Sequence, residues 1–252
     1  MRFLRVLDER RVAAAQDALK RMLDVTDFRS RRFLDVGSGS GLTSLVARRL
    51  GAMVLSFDYD PNSVACTNEV RRRFAGDDPD WTVRQGSALD PKFMASLGTF
   101  DVVCSWGVLH HTGAMWRALD LSAQRVAPGG DLYIAIYNDQ GFWSRYWYAI
   151  KRLYNHDFFS RALVIAVHIP SVYLARVLRR AVRPRRENDR GMSLWVDLLD
   201  WLGGYPFEVA KPEAVFDFLK TRGFTLKKLK TCAGGYGCNE FVFRRDGAPA
   251  AG

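Results

Sequence analysis

A glycine-rich turn between an apolar strand and a helix constrains the fold of this chain more than any other feature. The turn, Asp35-Val36-Gly37-Ser38-Gly39-Ser40-Gly41, follows an apolar run at residues 33–36 and precedes a helical pattern at 42–50. Glycines let the backbone adopt positive φ and let a ligand approach closely. The first turn of the following helix presents N–H groups without helical partners. The segment therefore predicts a ligand site at the carboxyl end of a strand.

Strands and helices alternate on both sides of this turn. The alternation predicts a doubly wound, mostly parallel α/β sheet. After an interruption, a helix at residues 212–221 precedes two strands that we expect to pair antiparallel at one edge. The seven predicted strands cover residues 33–36, 54–57, 81–83, 100–105, 131–137, 224–229 and 240–243.

The acid at the end of the second strand narrows the choice of ligand. Asp58 lies 21 residues after Gly37, and an acid at this place can accept hydrogen bonds from both hydroxyls of a ribose. The dinucleotide-binding fingerprint requires a third glycine three positions after the second. That position, counted from Gly39, is Leu42. A nicotinamide cofactor therefore fits poorly.

The glycine pattern instead resembles the first motif of class I S-adenosylmethionine-dependent methyltransferases. Phe100-Asp101-Val102-Val103, followed by Val108-Leu109-His110-His111, looks like the fourth-strand motif of that superfamily, and residues 126–132 look like the next one. The resemblance covers residues 30–138 and the sheet edge near 212–245. It implies a Rossmann-like fold in which residues 1–252 form a single methyltransferase domain.

The resemblance also implies how the cofactor, S-adenosylmethionine, is bound. Asp35 and the turn residues Gly37, Ser38, Gly39 and Gly41 are expected to bind the methionine moiety.

The remaining cofactor contacts carry one departure from the family pattern. Asp58 is expected to bind the ribose, Tyr59 to lie beside the adenine, and Trp106 to line the same cleft. Many relatives place an aspartate after the third strand, where this chain has Ser87 and Ala88. Either Ser87 replaces that aspartate with a neutral hydrogen bond, or Asp90 reaches in.

Methyl transfer to a hydroxyl or a protonated amine requires a base, and histidine has a suitable pKa. His110 and His111 follow the fourth strand, whose carboxyl end faces the expected crevice. We expect at least one to act on the acceptor; the alternative is a capping or packing role. Candidate acceptor-binding residues are Tyr137, Asn138, Tyr205, Glu208 and Asn239.

Cysteine chemistry and metal chemistry are not favoured. Cys66 lies in a helical pattern and Cys104 in a strand, so both are expected to be buried rather than reactive. Cys232 and Cys238 lack the further ligands that a zinc site needs, and no metal is expected.

Residues 139–211 interrupt the strand–helix alternation, and 13 of these 73 residues are aromatic. An insertion after the fifth strand predicts a helical cap that closes the site and selects the acceptor. The aromatic residues line an apolar acceptor pocket or form the core of the cap itself.

The chain carries 37 Lys and Arg against 27 Asp and Glu, a net charge of +10 that favours anionic partners. Arginines cluster at residues 176–190, next to an apolar stretch at 162–178. This region is a solvated helix face, a peripheral membrane contact over residues 162–190, or an RNA-binding surface.

We predict an O-methyltransferase, or secondarily an N-methyltransferase, that acts on a small or lipid-like molecule and releases S-adenosylhomocysteine. An RNA methyltransferase and a non-catalytic partner protein are the alternatives, and nucleic acid is the less favoured partner. Few cysteines and the lack of an apolar leader predict a cytoplasmic protein, with a peripheral place at a membrane surface as the variant. The oligomeric state is not predicted.

Overall fold

The computed structural model describes residues 7–76, 78–182, 202–235 and 237–247. The chain divides into two compact units. The first comprises residues 1–138 and 209–252, and the second comprises residues 139–208.

The first unit is built on one seven-stranded sheet. Its strands are β1 (Arg32–Val36), β2 (Met53–Asp58), β3 (Trp81–Gln85), β4 (Phe100–Trp106), β5 (Val126–Tyr137), β6 (Phe224–Lys230) and β7 (Cys238–Arg245). Their order is β3-β2-β1-β4-β5-β7-β6, and of these seven only β7 runs antiparallel to the others. The predicted mostly parallel sheet, with an antiparallel pair at its edge, is confirmed. Strand order reverses between β1 and β4, and ligands of such sheets bind at the carboxyl ends of the strands at this switch point.

Helices cover both faces of the sheet. They are α1 (Glu9–Leu23), α2 (Leu42–Arg49), α3 (Pro61–Ala75), α4 (Pro91–Ser96), α5 (Met115–Ala123) and α8 (Pro212–Lys220). Phe33 packs with α1, α2 and α3 in one buried cluster, while Leu34 packs with α5 and α8 in another. Successive side chains of β1 point to opposite faces of the sheet and therefore pack into two separate apolar cores.

An Asp-Pro pair begins two of these helices. The carboxylate of Asp60 accepts from the N–H of Asn62, and Pro61 occupies the first helical position. The helix α4, which was not predicted from the sequence, begins in the same way at Asp90-Pro91.

β5 begins five residues before the predicted strand at 131–137. The helix α5 ends at Ala123, and residues 126–130 join β5 through an irregularity between the pairs Phe100–Val126 and Val102–Asp131. A Cβ atom on Gly130 would lie 2.9 Å from the carbonyl oxygens of Ala127 and Asp101. The Pro-Gly-Gly sequence therefore lies in a strand bulge.

The second unit contains α6 (Phe142–Tyr154) and α7 (Phe158–Val182). Its buried cluster consists of Trp147, Tyr154, Val164 and Leu202. Some of the aromatic residues of the insertion therefore form its own core. Residues 183–190 of the predicted membrane contact lie outside the described residues. In the part of the chain that is described, no helix has both the length and the apolarity needed to cross a bilayer.

Candidate functional site

Hydrogen bonds tie the glycine turn to the carboxyl end of β2. The N–H groups of Gly37 and Ser38 both donate to the carbonyl oxygen of Phe57, at 2.9 and 3.0 Å. The N–H of Gly39 donates to Oδ2 of Asp58 at 2.9 Å. These amides already serve the fold. Because α2 is preceded by Gly41, which has no side chain to cap it, the first-turn amides of α2 are the donors best placed for a ligand.

The three glycines of the turn meet different requirements. Gly37, Gly39 and Gly41 all have positive φ, at 78°, 53° and 78°. A Cβ atom on Gly37 would lie 2.4 Å from a methyl carbon of Val108, and one on Gly41 would lie 3.0 Å from Cα of Thr67. A Cβ atom on Gly39 would have no atom within 4 Å. Packing therefore requires Gly37 and Gly41, while the space beside Gly39 is open to a ligand.

The hydroxyl of Ser38 faces the protein interior. It lies 2.9 Å from the hydroxyl of Thr67, and the Ser38 side chain is buried. This predicted cofactor residue therefore helps to shape the turn.

A chain of buried polar side chains lies beneath the turn. The indole N–H of Trp81 donates to Ser56 at 2.8 Å, Ser56 and Ser44 lie 2.6 Å apart, and Ser44 donates to Oδ2 of Asp35 at 2.5 Å. An indole only donates and a carboxylate only accepts, so the hydroxyls are oriented from Trp81 toward Asp35. Asp35 was predicted from the sequence as a site residue, whereas its three partners were not. A serine within the apolar run at 54–57 was the available signal.

Burial raises the pKa of the Asp35 carboxyl to about 6. The hydrogen bond from Ser44 opposes this rise, and the nearby charge of Asp58 adds to it. The fold thus holds an acid at an energetic cost directly beneath the expected cofactor site.

Asp58 joins the turn to the start of α3. One carboxylate oxygen accepts from Gly39 and the other accepts from the N–H of Asp60 at 3.0 Å. A carboxylate offers about four lone-pair sites, so acceptor capacity remains for two ribose hydroxyls. Tyr59 is exposed beside it, as expected of a residue that packs against a base.

The hydrogen bonds of the segment after β3 favour Ser87 over Asp90 as the adenine contact. The carboxylate of Asp90 accepts from the N–H groups of Lys92 and Phe93 and caps α4. The hydroxyl of Ser87 is half-buried and accepts from the N–H of Leu89 at 3.1 Å, and its own hydrogen can still be donated. Ser87 is therefore the better candidate. Ala88 is buried in the core.

The structure separates the two histidines that follow β4. Both lie in a single 3₁₀ turn, Leu109–His111, but His110 is only 1% exposed while His111 is half-buried. The ring of Tyr137 lies 3.9 Å from the ring of His110 and 5.4 Å from that of His111, perpendicular to the latter. The sequence predicted that at least one of them acts on the acceptor. Burial therefore favours His111 over His110 as the residue that could contact an acceptor.

Asn239 holds Asn138 in place. It is 1% exposed, donates to Oδ1 of Asn138 at 3.0 Å, and accepts from the N–H of Cys232 at 3.1 Å. Asn138 is half-buried at the end of β5, next to Tyr137. These contacts favour Asn138 over Asn239 as an acceptor-binding residue.

Trp106 is held at the same edge of the sheet by an acid that the sequence analysis did not select. Its indole N–H donates to Glu240 at 3.3 Å, and the same carboxylate accepts from Tyr133 and Lys230, both at 2.5 Å. Burial tends to raise the pKa of Glu240, but the hydrogen bonds from Lys230 and Tyr133 bring it below its usual value. The ion pair with Lys230 holds the carboxylate of Glu240 in place, and this carboxylate in turn fixes the orientation of the Trp106 indole.

Tyr205 and Glu208 belong to the second unit, so their place at the acceptor stays a prediction. Tyr205 is exposed beside Tyr148, with ring centroids 6.0 Å apart, and a hydrogen bond with Tyr148 raises the pKa of Tyr205. Within the described residues, no group of three His, Cys, Asp or Glu side chains could hold a metal ion.

Comparison with known proteins identifies the family. The sequence profile described as "Methyltransferase domain" matches residues 7–183. This chain belongs to that family. Together with the seven-stranded fold, the match confirms the predicted membership in the class I S-adenosylmethionine-dependent methyltransferases.

Curated relatives of this methyltransferase-family protein share part of its length. The ubiquinone biosynthesis O-methyltransferase of Parvibaculum lavamentivorans is 33% identical over 114 residues, which is 45% of this chain and 43% of the relative. The protein of that name from Rhizobium rhizogenes is 31% identical over 108 residues, 42% of this chain and 41% of the relative. The matched part spans less than half the length of these relatives.

Solved structures match over more of the chain. An O-methyltransferase family protein from Burkholderia thailandensis has a TM-score of 0.58 at 13% identity, covering 94% of this chain and 58% of that one. Magnesium protoporphyrin IX methyltransferase from Synechocystis PCC 6803, solved with bound S-adenosylhomocysteine, has a TM-score of 0.56 at 12% identity, covering 94% and 84%. At these identities the likeness shows the fold.

Proposed function

We propose that this protein transfers a methyl group from S-adenosylmethionine to an oxygen, or secondarily a nitrogen, of a small or lipid-like molecule. The observation that carries the proposal is the open space beside Gly39, next to the carboxylate of Asp58, in a chain of the methyltransferase family. A glycine that packing does not require, at positive φ and beside a ribose-binding type of acid, fits a cofactor cradle.

The residues present fit the parts of the cofactor. The first turn of α2 would hold the methionine moiety, with the buried Asp35 beneath it. Asp58 would accept from the ribose hydroxyls, and Tyr59 and Ser87 would contact the adenine. When bound, S-adenosylmethionine supplies a methyl group on a positively charged sulfur. The protein therefore has no leaving group to activate, and its main tasks are to position the acceptor and to remove a proton.

His111 is the residue we assign to proton removal. It is half-buried, it follows β4 at the carboxyl edge of the sheet, and Tyr137 packs perpendicular to its ring. A neutral imidazole there would accept the proton of an acceptor hydroxyl. Tyr137 and Asn138, at the end of β5, would orient that acceptor. The printed names of the curated relatives, O-methyltransferases, support oxygen as the methylated atom.

Two measurements test this proposal. Titration calorimetry with S-adenosylhomocysteine should show binding to the native protein. A lysate mixed with the protein and with cofactor carrying a labelled methyl group should yield a labelled metabolite, and the chemistry of that metabolite identifies the acceptor atom. A folded native protein without affinity for S-adenosylhomocysteine would refute the proposal and favour a non-catalytic partner role.

The chain offers a matched control for the cofactor cradle. Gly129, like Gly39, has positive φ, and a Cβ atom on it would likewise have no atom within 4 Å, but it lies at the amino end of β5, away from the turn. Gly39→Val and Gly129→Val introduce similar backbone strain. We expect only Gly39→Val to lose cofactor binding.

A further inference from the structure

One face of α7 exposes four large apolar side chains. Phe159, Leu163, Val167 and Leu174 are exposed at 81%, 59%, 59% and 57%. Their spacing of four, four and seven residues places them on one side of the helix. At 1.5 Å per residue the row is about 22 Å long. We call these four residues the α7 stripe.

The opposite face of α7 already has a partner. Val164 is buried in the cluster with Trp147, and Nε2 of His168 lies 2.7 Å from the hydroxyl of Tyr146. The helix therefore packs on α6 through one side, and the α7 stripe is surface in addition to that contact. A large exposed apolar row of this kind marks an interaction site more often than it marks ordinary surface.

Charge indicates what covers the stripe. The helix Phe158–Val182 contains four arginines and no Asp or Glu, and the stretch from 162 to 175 contains no Asp, Glu, Lys or Arg. Arg161 lies directly before this uncharged stretch, and the other three arginines of the helix follow it, from residue 176 onward. An apolar centre with basic flanks is typical of helices that lie in the surface of an anionic membrane. A second copy of the chain would bring the same positive charges and be repelled.

Aromatic side chains of the same unit support a lipid surface. Phe142, Trp143 and Phe158 are exposed on α6 and at the start of α7. Aromatic residues, tryptophan above all, favour the boundary between lipid headgroups and acyl chains.

We propose that the α7 stripe docks this protein on the surface of an anionic lipid membrane. The stripe and the basic residues that flank it form a peripheral contact, in which the helix lies along the membrane. This inference does not depend on the proposed methyl transfer, because it rests on the second unit alone.

Vesicle co-sedimentation tests the proposal. The full chain is mixed with vesicles of phosphatidylcholine alone or of phosphatidylcholine with phosphatidylserine. We expect binding to the vesicles that contain phosphatidylserine, with a bound fraction that falls as salt is added. Leu163→Glu and Val167→Glu should each weaken this binding by roughly tenfold, because each places a carboxylate in the lipid contact. Ala14→Glu, an exposed alanine of α1, adds the same charge outside the second unit and should leave binding unchanged.

Two further measurements make the outcome unambiguous. Each stripe variant should keep the native unfolding temperature and the native affinity for S-adenosylhomocysteine, which separates this proposal from the proposed function. The proposal would be overturned if the native protein bound neither vesicle type, or if the stripe variants bound as the native protein does. A stripe variant that converts a native dimer to a monomer in light scattering would assign the stripe to a second copy instead.

Discussion

Replacing Asp35 by asparagine should stabilise this protein at neutral pH, even though Asp35 is a candidate cofactor residue. Burial raises the pKa of Asp35 from 3.8 to about 6. The folded protein therefore binds a proton more tightly at this site than the unfolded chain does. Stability from this site is fully present below the unfolded pKa and is lost as the pH rises through the folded pKa.

The size of the effect follows from the shift. A rise of about two pKa units corresponds to about 3 kcal/mol of unfolding free energy, lost progressively between about pH 4 and pH 6. Asparagine has no charge to bury, but its amide group needs a partner that the site does not supply, at a cost of about 1–2 kcal/mol. We therefore expect a net gain of about 1–2 kcal/mol above about pH 7.

Denaturant unfolding of both proteins at a series of pH values measures this difference. The unfolding free energy of Asp35→Asn minus that of the native protein should rise by about 1.4 kcal/mol per pH unit between about pH 4 and pH 6, then level off. Asp17→Asn, at an exposed position of α1, is the control, because it makes the same change where there is no burial. A flat difference for Asp35→Asn would show that burial does not raise the pKa of this acid.

Three further predictions concern the site. Gly37→Ala should lower the unfolding free energy by roughly 1–3 kcal/mol more than Gly39→Ala does, because only Gly37 faces Val108. Gly39→Ala should lose more affinity for S-adenosylhomocysteine, measured by calorimetry, than Gly37→Ala does. His111→Gln should slow turnover of the identified acceptor and leave S-adenosylhomocysteine affinity unchanged; an unchanged rate would remove His111 as the base. Trp81→Phe should lower the unfolding free energy by about 1 kcal/mol, because it removes the indole hydrogen bond to the chain beneath Asp35, and a thermal melt without a shift would contradict that role.

The sequence alone was sufficient for the elements whose signals are local. An apolar strand, a glycine turn and a helix in succession are recognisable without any long-range contact, and so is the Asp60-Pro61 helix start. The alternation of such elements restricts the sheet to a parallel arrangement. The relation between Gly39 and Asp58 was also predictable, since adjacent parallel strands bring their carboxyl ends together.

Long-range packing decided the properties that depend on burial. His110 and His111 are neighbours in sequence, yet only His110 is fully buried, because the turn that carries them directs its ring inward. The partners of Asp35 come from α2, β2 and β3, and no sequence spacing shows that their hydroxyl and indole groups meet.

The sequence by itself thus determined the order of the elements and the edge of the sheet that carries the site, because both follow from periodicity and turn chemistry along the chain. Tertiary structure alone decided which polar groups are buried and paired, the raised pKa of Asp35, and which face of α7 remains exposed. Solvent exclusion is a property of how distant segments pack, and it sets both the energetic cost of a charge and the availability of a surface.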